Sequence, residues 1–222
     1  MLLAIDTSGP TLSLGLFDDD TVDSTHEEIG RGHAERLPAL LRERLDALSL
    51  DARAISRIAV VSGPGSFAGL RAGLAFGRGL GLGLGVPVVG IPLAEALSHG
   101  SERIIVALDL RRNEVWWQVF ENGATGGGER LSVDAASKRL SGTPGALVGS
   151  AAAMLAERSD AERCVAPVDR DALLCNVAAL AEAVCVETHP PRPLYARGAD
   201  AKPPRPPVAP TARATLGQSG GN

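Results

Sequence analysis

The stretch that decides the fold is Ser62-Gly-Pro-Gly-Ser-Phe-Ala-Gly-Leu-Arg-Ala-Gly-Leu74, entered from the apolar run Ile58-Ala-Val-Val61. Four apolar residues, mostly β-branched, ending at a glycine and proline read as a short buried strand. Gly63-Pro64-Gly65-Ser66 is then a tight turn, and a helix is predicted from about Phe67. A strand, turn and helix in this order is the repeating unit of an α/β fold.

The same grammar extends outward. Leu2–Ile5 is a buried strand closed by the turn Asp6-Thr7-Ser8-Gly9-Pro10. In Thr11–Phe17, Leu12, Leu14 and Leu16 alternate, which predicts a strand with one buried face. Asp18-Asp19-Asp20 turns the chain into a more polar strand over Thr21–Ile29. Leu37, Leu40, Leu41, Leu45 and Leu48 form one apolar stripe on a helix beginning near His33, with Pro38 a point of expected bending. Val86–Ile91 is a further strand, and Pro92–Ser98 starts a short helix. The second half repeats the pattern more weakly. Strands are predicted at Arg103–Asp109, Glu114–Glu121, Leu131–Val133 and Ala146–Val148, and helices at Asp134–Leu140, Ala151–Arg158 and Ala172–Val186. The division is a first unit over 1–100, a second over 101–197 and a Pro/Gly-rich disordered tail over 198–222.

Composition narrows the function. The chain has 222 residues with 45% hydrophobic and 3% aromatic side chains, so the core is aliphatic. Its formal charge of −4 gives no global basic field for nucleic acid. Cys164, Cys175 and Cys185 are odd in number and lack C-x-x-C spacing, which fits a reducing compartment. The opening MLLAIDTSG has no basic n-region and Asp6 cuts its apolar run short, so no signal peptide is expected. The stretch Gly79–Ile91 is broken by glycines and Pro87 and is too short to span a membrane. A cytoplasmic chain that does not enter a membrane is the expectation.

Several residues invite a chemical reading beside a plainer one. Gly63, Pro64, Gly65 and Ser66 at a helix start could cradle an anion with backbone N–H groups, or simply make a βα turn. No G-K-[ST] follows, so this is not a P-loop. Gly69, Gly73, Gly77, Gly81 and Gly85 recur every fourth residue on one helix ridge. Each costs about 1 kcal/mol relative to alanine, so something packs closely there: this protein's own sheet, or a second helix. The far end, from Gly79, reads as a helix fraying into a loop. Asp6, Thr7 and Ser8 place a carboxylate and two hydroxyls at a strand end, a phosphate- or metal-facing position or a capped turn. Asp109, Arg111 and Arg112 sit at a hairpin end, where charges are usually solvated. Trp116 and Trp117 point to opposite faces, so at most one is core. His26, His33, His99 and His189 have no mate at ligand spacing, and Ser66 lacks a His/Asp relay and the nucleophile-elbow sequence.

Together these pieces resemble the TsaB (YeaZ) family. The matching segments are AIDTS, GHAERLPALL, SGPGSFAGLRAGLAFGRGLGLGLGVPVVGI, DLRRNEVWWQVF and PRPLYAR, in the family's order over about residues 1–197. The resemblance implies two small α/β lobes of the acetate and sugar kinase/Hsp70/actin (ASKHA, actin-like) type. It implies a non-catalytic partner of a TsaD-type subunit, which transfers threonylcarbamoyl to the tRNA adenosine beside the anticodon, with a TsaE-type ATPase joining them. Contact with tRNA would come only through that complex. The first two helices would form the partner interface, or a homodimer, through His33, Leu37, Leu40, Leu41, Leu45, Arg71, Leu74, Ala75 and Arg78. Asp6, Thr7, Ser8, Gly63, Pro64, Gly65 and Ser66 become candidate nucleotide- or anion-binding residues. No cofactor is assigned beyond a weakly held nucleotide in the TsaD-containing complex. The metal-binding N-H-L-E-G-H pattern of TsaD aligns with Pro92-Leu93-Ala94-Glu95-Ala96-Leu97, and leucine is no metal ligand. Ala68 replaces a usual threonine, and Phe76-Gly77 leaves the helix intrinsically weak. The rival reading is a stand-alone ASKHA phosphotransferase using Asp6 and the Gly63–Ser66 loop. A peptidase finds no dyad or metal motif in support.

Overall fold

A computed structural model describes residues 1–159 and 164–196. The tail expected over 198–222 lies outside the described residues. The first sheet holds β1 (Leu2–Asp6), β2 (Thr11–Asp18), β3 (Asp20–Glu28), β4 (Arg57–Gly63) and β5 (Val88–Pro92), in the order β3-β2-β1-β4-β5. β1, β2 and β3 form an antiparallel meander, while β1, β4 and β5 run parallel. Parallel neighbours need crossover helices. These are α1 (His33–Ala47), between β3 and β4, and α2 (Phe67–Leu84), between β4 and β5.

The second sheet repeats the plan. β6 (Arg103–Asp109) and β7 (Glu114–Glu121) pair antiparallel, and β9 (Glu129–Ser132) joins the other side of β7, as does the two-residue β8 (Ala124–Thr125). β10 (Ala146–Val148) and β11 (Val165–Ala166) add in parallel beyond β6. The helices are α3 (Leu93–Ser98), which follows β5, then α4 (Val133–Gly142), α5 (Ala152–Glu157) and α6 (Arg170–Ala183). The two lobes are α/β units of the ASKHA kind that the resemblance implied.

Alternation along the strands sorts the core into layers. Leu3 and Ile5 meet Leu12, Leu14 and Leu16 under the leucines of α1 and Leu74 of α2. Leu2, Ala4 and Phe17 face the other way, onto Leu173, Leu174 and Val177 of α6, together with Ile104, Val106 and Leu108 of the second sheet. A third cluster lies between the second sheet and α4 and α5, around the buried Trp117. Trp116 is half-buried and donates from Nε1 to Gln118 Oε1 at 3.0 Å, so one tryptophan of the pair is core.

Two sequence expectations are corrected. β2 is buried on both faces from Thr11 to Phe17, because α6 covers the face opposite the leucines. That helix lies in the second half of the sequence, so no local alternation in β2 reports it. Its first turn is tied to β3, where Asp171 accepts hydrogen bonds from Ser24 and His26. α2 also does not fray at Gly79. It continues to Leu84 and ends on Gly85, whose φ of 71° closes the helix in the left-handed region.

Candidate functional site

The site grows from the end of β1. Asp6 is 2% exposed, and its Oδ1 accepts the Ser8 backbone N–H at 2.8 Å. Burial pushes this carboxyl above its ordinary value of 3.8, opposed first by the Ser8 bonds and then by the charges of Arg170 and His33. Thr7 is fully buried and donates from Oγ1 to the Gly69 carbonyl at 2.8 Å. The Ser8 carbonyl in turn accepts the Ser66 N–H at 2.7 Å. The first strand turn is thereby clamped to the start of α2.

This clamp explains the glycines. A Cβ at Gly69 would strike the Thr7 carbonyl oxygen, and one at Gly73 would strike Thr7 Oγ1. At Gly65 it would lie 2.9 Å from Ser8 Cβ, and at Gly77 2.6 Å from Val60 Cγ2. A Cβ at Gly81 would run into Val88. The ridge therefore serves close packing on the protein's own sheet. Gly77, read from sequence as a weakness of α2, is what lets the helix approach β4. The turn's donors are also partly engaged: Ser66 N–H goes to Ser8, and Ser66 Oγ caps α2 by accepting Gly69 N–H at 3.3 Å.

The second lobe supplies a matching junction. Asp109 ends β6 as Asp6 ends β1. Its backbone N–H donates to Ser150 Oγ at 2.9 Å, and its Oδ1 accepts the Arg111 N–H at 2.7 Å. Arg111, Arg112 and Asn113 follow with φ of 65°, 54° and 61°. Three successive non-glycine residues in the left-handed region are uncommon and mark a loop held in shape by its surroundings. Gly149 (φ 110°) and Ser150 after β10 occupy the place that the Gly63–Ser66 loop has after β4.

Between the junctions lies a cavity of about 650 Å³. Asp6, Ser66, Asp109, Arg111, Arg112 and Arg170 line it, and its volume suits a small-molecule ligand. Of the seven residues expected to hold a nucleotide or anion, Asp6, Ser8, Pro64, Gly65 and Ser66 reach the cavity. Thr7 and Gly63 do not line it: Thr7 is locked under α2, and Gly63 is packed against Leu70 and the Leu194 carbonyl. Sequence reading missed Arg170, Phe67 and Tyr195. Arg170 had a signal, the Asp169 cap that accepts the N–H groups of Asp171 and Ala172 and fixes the start of α6. Tyr195 is the chain's one tyrosine, and nothing in its local sequence places it beside Phe67.

The expected interface set divides in two. His33, Leu37, Leu40, Leu41, Leu45 and Leu74 are buried within this chain's own core, so these six side chains do not form an outer surface. The stripe marks the side of α1 that faces the sheet. Arg71, Ala75 and Arg78 are exposed on α2. They share that face with Phe67 and with Leu82, which is 86% exposed. Gly79 and Gly83 lie on it too, with open space where a Cβ would go.

Leu93 and Leu97 also line the cavity, and both belong to the core cluster between the sheets. Their hydrocarbon side chains offer no donor atom, so the metal centre of a TsaD-type enzyme does not fit these residues.

Comparison with known proteins fits this geometry. The family model described as "TsaD: tRNA N6-adenosine threonylcarbamoyltransferase" matches residues 22–188. The tRNA threonylcarbamoyladenosine biosynthesis protein TsaB of Escherichia coli K12 is 32% identical over 141 residues, covering 60% of this chain and 61% of that protein. An uncharacterized protein of Mycobacterium tuberculosis H37Rv is 35% identical over 129 residues, covering 55% of this chain and 60% of that one. The chain thus spans about 60% of the length of these curated relatives. Among solved structures, an uncharacterized Pseudomonas aeruginosa protein with similarity to peptidase YEAZ superposes with a TM-score of 0.68. It is 27% identical, and the match covers 88% of this chain and 99% of that one. The ethanolamine utilization protein EutJ of Carboxydothermus hydrogenoformans, at 13% identity and a TM-score of 0.55 over 81% of this chain and 89% of that one, shares the fold alone. The chain belongs to the family of the matching model and, within it, to the TsaB (YeaZ) group.

Proposed function

We propose that this chain is a non-catalytic subunit that supports a TsaD-type threonylcarbamoyltransferase in forming threonylcarbamoyladenosine on tRNA, with a TsaE-type ATPase as third component. The observation that carries the proposal is the outer face of α2. Leu82 stands 86% exposed there, and the alanine and glycines beside it leave room for a second helix to approach closely. The names of the TsaB relatives supply the process, and the donor-free Leu93 and Leu97 argue against catalysis in this subunit. The interface of the proposal is the later part of that face, Ala75, Arg78, Gly79 and Leu82, with the exposed side of α1 beside them. A homodimer would use the same face in place of the partner.

The test is tRNA threonylcarbamoylation by the TsaD- and TsaE-type subunits with and without this chain. Activity is expected to depend on it, and equal activity in both would remove the proposal. Ala75→Arg, on an exposed position, is expected to abolish co-purification with the TsaD-type subunit and leave the chain's melting temperature unchanged.

One observation favours a second reading. The buried Asp6 at the wall of a cavity of about 650 Å³ fits a stand-alone nucleotide-using phosphotransferase. That reading requires ATP turnover by the pure chain, lost in Asp6→Ala.

A further inference from the structure

At the mouth of the cavity the structure holds a row of planar groups. The Arg71 guanidinium lies 4.4 Å over the centre of the Phe67 ring. The Tyr195 ring lies 5.2 Å from Phe67 on centroids, tilted by 31°. Phe67 is 55% exposed and Tyr195 41% exposed, in a chain with only 3% aromatic residues. The row is held in place from behind. Leu194 N–H donates to the Ser62 carbonyl at 2.7 Å, and Gly90 N–H donates to the His189 carbonyl at 2.9 Å. The segment that carries Tyr195 is thereby pinned to β4 and β5.

Both rings line the cavity together with Arg111, Arg112 and Arg170. Three arginines and two carboxylates share that lining, a local excess of one positive charge, with Arg111 paired to Asp109 at 3.5 Å and Asp6 accepting from Ser8. A chain with a net charge of −4 thus concentrates cations beside an aromatic platform. That pairing is what single-stranded nucleic acid requires. Bases stack on exposed rings and guanidinium planes, and phosphates settle against arginine.

We propose that the mouth of the cleft is a binding site for single-stranded RNA, with a base stacking on the Tyr195–Phe67–Arg71 row and the adjoining phosphates meeting Arg111, Arg112 and Arg170. The proposal rests on the tRNA-linked reading above for the choice of RNA and gives this subunit a direct contact with the strand. A protein would also use exposed rings, but it gives no reason for three arginines at the rim of the same cavity. The site is local, which reconciles it with the absence of a global basic field.

The test uses the full chain alone, so its outcome does not depend on whether the partner complex forms. Fluorescence anisotropy would follow binding of fluorescein-labelled heptaadenylate RNA and of an abasic ribose-phosphate heptamer. The heptaadenylate is expected to bind at least about fivefold more tightly than the abasic strand. Phe67→Ala and Tyr195→Ala, both at exposed positions, are each expected to bring it down to the abasic level with unchanged melting temperatures. Arg112→Gln is expected to weaken both strands and to lower the slope of log Kd against log salt by about 0.7. No saturable binding, equal binding of the two strands, or indifference to both ring variants would overturn the proposal. So would AMP displacing the oligomer at concentrations comparable to the oligomer's own Kd, since that describes a mononucleotide pocket. Loss of TsaD co-purification in Phe67→Ala, with RNA binding intact, would assign the rings to a protein interface and overturn it equally.

Discussion

The two sides of α2 are made of the same residues and do opposite things. On one side, Gly69, Gly73, Gly77 and Gly81 are buried, and a methyl group at each would collide with Thr7, Val60 or Val88. On the other, Gly79 and Gly83 meet nothing within 4 Å, and Leu82 stands in the open. Glycine on the buried side is a steric necessity that lets helix, strand turn and cavity loop interlock. Among the described residues nothing packs against the glycines of the open side. The inner side holds the fold, and the outer side is the face proposed above for a partner.

The sharpest break of the contrast is on the neighbouring helix. Leu41 belongs to the same core as the inner side of α2, so Leu41→Glu would place a charge among Leu14, Leu37 and Leu45. Its expected loss is about 4 kcal/mol or more, seen as an unfolded or aggregating chain in urea titration and circular dichroism. A stable, soluble Leu41→Glu monomer would instead assign the leucine stripe to an outer interface. Next comes Gly69→Ala. The obstructing atom is a backbone carbonyl, which cannot swing away as a side chain would. A loss of about 1–3 kcal/mol is expected, toward the upper end, from the urea midpoint at unchanged m. An unperturbed midpoint would mean that the helix can lift off the Thr7 turn freely.

Asp6, beneath the same junction, gives a pH test. Its folded-state carboxyl is raised above its unfolded value of 3.8, chiefly by burial. The folded state therefore holds the proton more tightly. The contribution is fully present below the unfolded value and is lost as pH rises through the folded one. Asp6→Asn keeps an acceptor for the Ser8 N–H and removes the titration. Measured by urea unfolding across a pH series, Asp6→Asn is expected to gain on the wild type as pH rises from below 4. A pH-independent difference between the two would mean that Asp6 is solvated in the folded state.

How far the sequence announced this contrast differs by region. The strand–turn–helix unit at 58–74, the meander and the β6–β7 hairpin were legible because local periodicity and turn residues encode them. The glycine spacing was legible as close packing, but not which surface it met, since Thr7 and Val60 are separated from α2 along the chain. The leucines of α1 were read as facing outward to a partner. An amphipathic stripe looks the same whether a sheet or a second protein covers it. β2 was read as buried on one face because its second cover, α6, lies more than 150 residues on. In the cavity, Asp6 and Ser66 stood at recognisable strand and helix ends. Arg170 stood behind a readable helix cap at Asp169, whereas Tyr195 arrives by tertiary return of the chain, with nothing local to place it beside Phe67.

The smallest effect separates the two sides most cleanly, because it has the opposite sign. Gly79→Ala keeps the helical backbone and places a methyl group in open space. Removing the glycine's extra freedom in the unfolded chain is expected to stabilise α2 by about 0.4–1 kcal/mol. The same chemical change thus lowers the urea midpoint at Gly69 and raises it at Gly79, ten residues along one helix. If the outer face receives a partner helix at close range, Gly79→Ala also weakens co-purification with the TsaD-type subunit while raising the stability of the free chain. A variant that is more stable alone and poorer in the complex has lost something its own fold never used. If both stability and association rise together, the open side of α2 is unoccupied in the complex, and its glycines have no steric role there.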